Sequence, residues 1–339
     1  MKNLKKRAVV GAQSVLAAGL SLMLVTGGVR AETVVPLSTW GGTNHVNIRD
    51  FVPRLEQAFE KMQPNTLKLQ HFPNGQLGND KDMPVSIPMG QVKFAWISVG
   101  GWTGTVPDAL VMDAPTGLTM EEMGELIAKP DGVFALLNER FQDKNAVLLG
   151  LADLGPPALV SREPILSPDD LKGKVVRVFS EGTNKAIRLL GGAPVNMGFA
   201  EVYSALQRGM IDAALMGYQG VDSQKMHEVA KYVLLPSSFL GTSMMGWAAN
   251  KQWVDSMPAQ DREVFIRAVR EASLGNQQDV MRDIDTLTEL YKERDLTVTF
   301  LNPEMEQFVE WQEATSPLRK EAFKALSPEM LALLPGQEQ

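Results

Sequence analysis

The sequence predicts an α/β protein built as two layered units. Three observations carry that expectation. Short apolar runs of strand length alternate with stretches of helical periodicity along most of the chain. The pattern breaks at Pro156-Pro157 and then restarts. A chain of 339 residues, 44% hydrophobic and 22% charged, is long and apolar enough for two cores.

Residues 1–31 stand apart from that pattern. Lys2, Lys5, Lys6 and Arg7 form a basic head, an apolar stretch runs from Ala8 to about Thr26, and Val29-Arg30-Ala31 puts small residues at the −3 and −1 positions before Glu32. This is the pattern of a cleaved export signal. A membrane anchor is the alternative, but Gly19, Gly27 and Gly28 fall within or just after the stretch, and no second apolar run approaches the length of a span. The expected mature protein is soluble, periplasmic and not inserted in the membrane. Removing this segment takes away five cations and no anion, so the net charge of −7 becomes −12. An acidic chain argues against nucleic-acid binding. The absence of cysteine excludes disulfides, thiolate chemistry and cysteine-ligated metals.

In the mature chain, Val34–Leu37 reads as a first strand ending at the turn Thr39-Trp40-Gly41-Gly42. Val46, Phe51, Leu55, Phe59 and Met62 place a helix over 46–62. Leu67–Gln70 alternates as a strand and Phe72-Pro73-Asn74-Gly75 closes it. Residues 80–90 read as an irregular helix interrupted by Pro84 and Pro88, and 92–98 as a strand. Helices are expected near 121–128 and 132–142, then a strand at 146–151. After the proline pair come strands at 174–178, 211–215, 232–235 and 244–249, with helices at 183–190 and 199–208. From about Pro258 to Arg294 neither Pro nor capping signals interrupt the periodicity, and Val280, Ile284, Leu287 and Tyr291 share a face. One helix of roughly 50 Å at ~1.5 Å per residue would outreach a single domain. It is expected to run unbroken across both units. The sheets are expected to be mostly parallel.

No enzyme constellation emerges. His45, His71 and His227 are too scattered for a metal site and read as surface or hydrogen-bonding residues. The phosphate loop, the nucleophile elbow and the paired-histidine zinc helix are missing from the sequence. No metal or cofactor is expected. Gly100-Gly101-Trp102-Thr103-Gly104 reads as a loop approaching a ligand or a domain interface. Trp96 and Trp247 lie in strands, where core packing is the ordinary role. Trp40 and Trp102 lie in loops after strands, where open α/β sheets bind ligands.

One block carries more. Leu171-Lys172-Gly173-Lys174-Val175-Val176-Arg177-Val178 is followed by Phe199-Ala200-Glu201-Val202-Tyr203-Ser204-Ala205-Leu206-Gln207-Arg208-Gly209-Met210-Ile211-Asp212. With Asn74-Gly75-Gln76-Leu77-Gly78, the acids Asp80 and Asp82, and Gly90-Gln91-Val92, this resembles the solute receptors of tripartite ATP-independent periplasmic (TRAP) transporters, of the dicarboxylate-receptor type. The resemblance covers essentially the whole mature chain. It implies a two-lobed periplasmic-binding-protein fold with a ligand cleft between the lobes and the long helix spanning both. Residues 32–154 plus 243–282 would form one lobe and 155–242 plus 283–339 the other.

By the same resemblance, Arg177 corresponds to the arginine that binds the ligand carboxylate, and Phe199 to the aromatic that packs on the ligand. A guanidinium on a strand end suits a carboxylate bidentately. Glu201, Tyr203 and Gln207 are expected to cap and pack their helix. Gly155–Leu159 lacks the second arginine of many relatives, and Met216 replaces a ligand-contacting asparagine, with Tyr218 close behind. Glu181 stands four residues after Arg177, where it either pairs with that arginine or points elsewhere. Trp40, Trp96 and Trp102 supply aromatic surface for the ligand. The expected function is a receptor that closes on a small organic solute, a monocarboxylate by preference, and delivers it to TRAP permease subunits. A small amine or zwitterion is the alternative ligand. A secreted enzyme on the same scaffold and a receptor for a sensor kinase are the alternative roles.

Overall fold

The computed structural model describes residues 32–335 apart from 117, 119, 153, 154 and 243. The expected export signal therefore lies outside the described residues. Among the described residues, no helix is long and apolar enough to cross a membrane.

The chain begins with β1 (Thr33–Ser38), α1 (Val46–Met62), β2 (Leu67–Phe72), the short α2 (Met83–Ser86), β3 (Phe94–Ser98), α3 (Met120–Ala128), α4 (Val133–Gln142) and β4 (Ala146–Ala152). Proline 84 shortens the helix expected over 80–90 to one turn, preceded by a 3₁₀ turn at Asp80–Asp82. A second set follows: β5 (Pro157–Ser161), β6 (Val175–Val178), α5 (Glu181–Leu189), β7 (Ala193–Asn196), α6 (Val202–Gln207), β8 (Ala213–Gly217), α7 (Tyr218–Ser223) and β9 (Tyr232–Leu235). The chain then crosses back as β10 (Met245–Asn250) and α8 (Lys251–Ser256), and runs out as α9 (Ala259–Glu293), β11 (Thr297–Phe300), α10 (Glu306–Ala325) and α11 (Pro328–Leu333).

Two sheets organise the lobes. The first has the order β2-β1-β3-β10-β4, the second β11-β9-β5-β8-β6-β7. Both are more mixed than expected. β10 pairs antiparallel with β3 and β4, and β5 pairs antiparallel with β8 and β9. The cause is the crossing of the chain between sheets: β5 and β10 are the strands that enter each sheet from the other lobe. β5 was not anticipated, because Pro156-Pro157 reads as a break. Pro157 occupies the first position of the strand, where its missing N–H is tolerated. β7, β11, α7, α8, α10 and α11 were also not anticipated.

Each sheet is covered on both faces. In the first lobe, Phe51 and Leu55 of α1 with Phe265 and Val269 of α9 cover one face, and Leu137 and Phe141 of α4 the other. In the second, Val202 and Leu206 of α6 with Ile284 and Tyr291 of α9 cover one face, and Ile187 of α5 with Trp311 of α10 the other. Helix α9 thus runs unbroken for 35 residues and buries its first half on one sheet and its second half on the other. The C-terminal segment departs from expectation. Phe308 and Trp311 pack in the second lobe, but Leu326, Met330 and Leu334 pack in the first. Asp108 anchors that return: it accepts from the Ser327 N–H and hydroxyl, both at 2.8 Å, and pairs with Arg140.

Candidate functional site

The carboxyl ends of the parallel strands of both sheets converge on one cleft of about 540 Å³. That is where open α/β sheets place ligands. Trp40 after β1 and Ser98 at the end of β3 come from the first lobe. Arg177 of β6, Phe179 and Ser180 after it, and Met216 of β8 come from the second.

Arg177 is the chemical centre. It is 6% exposed, and burial pushes its guanidinium down to about 10. Its Nη1 donates to the Leu215 carbonyl at 2.7 Å and its Nε to the Met197 carbonyl at 3.3 Å. Phe179 lies beneath it, with the guanidinium carbon 5.9 Å from the ring centroid. Among the described residues no carboxylate pairs with it. A buried cation satisfied only by carbonyls and a ring is costly without an anion. The arrangement pre-aims a charged fork at a cleft.

The other ionisable groups of the cleft are mostly acids. Asp80, held by the Ser98 N–H at 2.7 Å, is pushed up by burial. Burial likewise pushes Asp113 up to about 6, against a hydrogen bond from Ser180 that lowers it. Gly100 makes room for Asp113, since a Cβ there would lie 2.5 Å from the Asp113 Cβ. Asp222 and Asp283 complete the set, Asp222 being paired with Arg294. Arg49, the second cation on the cleft, is engaged bidentately by Asp50 at 2.8 and 2.7 Å, and that bond raises it. His45 is pushed down to about 4 by burial and is neutral. Its Nδ1 accepts the Asn47 N–H, capping α1, which leaves the ring proton on Nε2.

The structure brings together Arg177, Phe199, Trp40 and Met216, all on the cleft. Trp96 is 1% exposed and lies behind Trp40, with ring centroids 4.5 Å apart at 15°, so it buttresses the cleft wall without lining it. Three other expectations fail. Trp102 turns inward after Gly100-Gly101 and packs tilted against Phe141 of α4, with ring centroids 4.5 Å apart, deep in the first core. Tyr218 is fully buried, its hydroxyl sharing a hydrogen bond with Thr288 at 2.7 Å and its ring edge-on to Tyr291, because it begins a helix that packs on α9. Glu181 sits exposed in the first turn of α5, where its charge acts on Lys185 one turn later and not on Arg177. Glu201 caps as expected, accepting the Gly198 N–H at 2.8 Å, and Tyr203 donates to Glu228 at 2.6 Å.

Sequence reasoning missed His45, Asp80 and Asp113 as cleft residues. Asp80 lies inside the Asn74–Asp82 motif, which was the available signal; the other two had none. A larger cavity of about 950 Å³ opens between α3, α4, β4 and α9. Its lining is apolar, and its cation, Arg270, is solvent-exposed, so it lacks the pre-aimed charge of the cleft. Among the described residues no group of histidines and acids could hold a metal ion.

This geometry has counterparts. Residues 38–326 match the family described as bacterial extracellular solute-binding protein, family 7 (DctP). The chain belongs to that family. It is 26% identical over 283 residues to the C4-dicarboxylate-binding periplasmic protein DctP of Rhodobacter capsulatus, covering 82% of this chain and 83% of that protein. It is 25% identical over 268 residues to the sialic acid-binding periplasmic protein SiaP of Vibrio cholerae, covering 79% and 81%. A TRAP periplasmic solute-binding protein of Ochrobactrum anthropi superposes with a TM-score of 0.79 at 20% identity, over 89% of this chain and 93% of that one. The family and these relatives are solute-binding receptors.

Proposed function

We propose that this DctP-family chain is the periplasmic receptor of a TRAP uptake system for a small organic monocarboxylate. Export removes residues 1–31, the two lobes close on the solute, and the loaded receptor hands it to the membrane permease subunits. The observation that carries this reading is Arg177, a buried guanidinium that has no acid partner among the described residues and faces a cleft between two sheets. Relatives named for C4-dicarboxylates and for sialic acid bind organic acids, which fits an arginine anchor.

The balance of charge in the cleft favours one carboxylate. Arg177 is the cation left for a ligand once Arg49 is held by Asp50 and His45 is neutral. Asp80, Asp113 and Asp283 oppose any second anion. Met216, 1% exposed, offers a thioether where a second polar contact would be needed. Closure follows from the differential contacts a ligand makes with both lobes at once.

Calorimetric titration with lactate, pyroglutamate, succinate and ethanolamine tests the reading. The expected result is binding of a monocarboxylate, weakened by about 3 kcal/mol in Arg177→Ala and less in Arg177→Lys, the scale for unpairing a buried charge. Tight, exclusive binding of succinate would overturn the monocarboxylate assignment, and unchanged affinity in Arg177→Ala would overturn the anchor.

A further inference from the structure

Two aromatic rings of the cleft are exposed, one from each lobe. Trp40, 36% exposed, comes from the end of β1. Its inner face is taken by Trp96, nearly parallel at 4.5 Å, and the His45 ring stands edge-on at 5.9 Å. The indole is therefore fixed as a rigid wall with one face left for a ligand. Phe199, 39% exposed, comes from the turn before α6 in the second lobe. It is seated on Gly220 of α7: a Cβ at that position would lie 3.1 and 3.2 Å from the phenyl carbons and 3.5 Å from the Met216 sulfur. The absence of a side chain at 220 lets the ring lie back against the lobe, where it lines the cleft.

Exposed indole and phenyl rings on the cleft wall are costly to leave in water, and both are backed by packing that resists their collapse. We infer that this receptor takes a flat-ring monocarboxylate, an aromatic or other planar cyclic acid, whose carboxylate meets Arg177 while its ring is covered by Trp40 on one side and Phe199 on the other. The inference rests on the proposed role of Arg177 as carboxylate anchor and adds the shape of what is attached to the carboxylate. Planarity matters because two aromatic walls approaching on lobe closure leave a slot that a flat ring fills at stacking distance, whereas a puckered ring of similar size holds them apart. Asp80 and Asp113 on the cleft exclude a second anionic group on that ring.

The test compares benzoate with cyclohexanecarboxylate, which carries the same carboxylate on a puckered ring, and with lactate, which has no ring. Titration of the exported chain is read by calorimetry and by quenching of tryptophan fluorescence. The expected result is that benzoate binds at least about fivefold more tightly than cyclohexanecarboxylate, the advantage expected of stacked aromatic faces. Trp40→Leu and Phe199→Leu should each weaken benzoate by about fivefold or more, and lactate by less. Gly220→Ala, which pushes the phenyl ring into the slot, should weaken benzoate without lowering the melting temperature appreciably. Equal or tighter binding of cyclohexanecarboxylate or lactate, with Arg177 still required, would overturn the flat-ring inference and leave the receptor reading intact. Carboxylate binding that ignores Arg177, or no binding of any acid in this set or the earlier one, would overturn both.

Discussion

The N-terminus of α5 in the second lobe closes on the Asp113 carboxylate of the first: a Cβ at Gly182 would lie 3.3 Å from an Asp113 carboxylate oxygen, and the Ser180 hydroxyl beside it acts on that carboxylate. The same Ser180 oxygen accepts the Thr183 N–H at 3.2 Å, while the Asp113 carbonyl accepts from Thr242 at 3.4 Å. Three chain segments from two lobes thus meet at one acid beside the ligand cleft. Burial holds that acid at about 6, well above the usual aspartate range.

The sign of its effect on stability follows from linkage. The folded chain keeps the Asp113 proton to higher pH than the unfolded chain does. The stability it contributes is complete below the unfolded value near 4 and is lost as pH rises through about 6. Asp113→Asn removes the titration. The unfolding free energy of the wild type, relative to this variant, should rise as pH falls from 7 to 4, by an amount on the order of 2 kcal/mol, read by denaturant titration. A difference that stays flat over that range would contradict the burial argument.

His45 runs the other way. Burial holds its imidazole at about 4, below the unfolded value of 6.5, so the unfolded chain takes up the proton first. The stability its neutral form contributes is present above 6.5 and is lost as pH falls toward 4. His45→Gln keeps a cap acceptor and removes the titration. Relative to that variant, the wild type should lose stability between pH 6.5 and pH 4. Because Asp113 and His45 titrate in overlapping windows with opposite signs, melting of the wild type alone will show little of either. The single variants separate them.

Much of the scaffold was legible in the sequence because its elements are long or amphipathic. Helix α1 carries Phe51, Leu55 and Phe59 on one face, and α9 repeats that signal for ten turns, so their bounds differ from expectation by a residue or so. The short strands that complete the sheets were not legible. β7 and β11 are four-residue edge strands without a buried residue, and β5 opens on a proline. In the site, Arg177 and Phe199 were legible through a motif, and Trp40 through its place after a strand. The direction of a side chain was not. Trp102 occupies the same kind of loop as Trp40, yet the turn at Gly100 sends one ring into the core while the turn at Gly41 leaves the other on the cleft. Asp113 and His45 owe their character to burial by distant segments, and no local spacing encodes that.

Arg177 should also separate binding from stability. In the unliganded protein its buried charge is balanced by two carbonyls and a ring. Arg177→Met removes the desolvated charge and keeps much of the volume, but strips the Leu215 and Met197 carbonyls of a donor. Desolvating an unpaired ion costs several kcal/mol and the two charge-assisted bonds return about 3–6 kcal/mol, so the two terms nearly cancel. The variant should therefore melt close to the wild type while losing carboxylate binding. A fall in melting temperature of more than about 5 °C, roughly 3 kcal/mol for a chain of this size, would mean that Arg177 is a structural residue.

The strongest steric prediction lies where α9 crosses the first sheet. Gly150 of β4 faces Ser273 so closely that a Cβ at 150 would fall 2.6 Å from the Ser273 Oγ and 2.8 Å from its Cβ. The Ser273 hydroxyl cannot swing aside freely, because it donates to the Leu151 carbonyl and is buried. Gln277 donates to the same carbonyl at 3.0 Å, so helix and strand are tied on both sides of the contact. On the neighbouring strand, Trp247 lies opposite Gly150, with Phe51 stacked on its ring, which leaves no slack in that direction. Gly150→Ala must therefore lift α9 off the sheet or break the Ser273 bond, and overpacking of this kind costs about 1–3 kcal/mol. Ser273→Ala removes the oxygen at 2.6 Å but not the Cβ at 2.8 Å, so in the double variant the loss should shrink without disappearing. Denaturant titration of the two single variants and the double variant reads this out. Full additivity of the two losses would show that helix and strand do not meet through this pair.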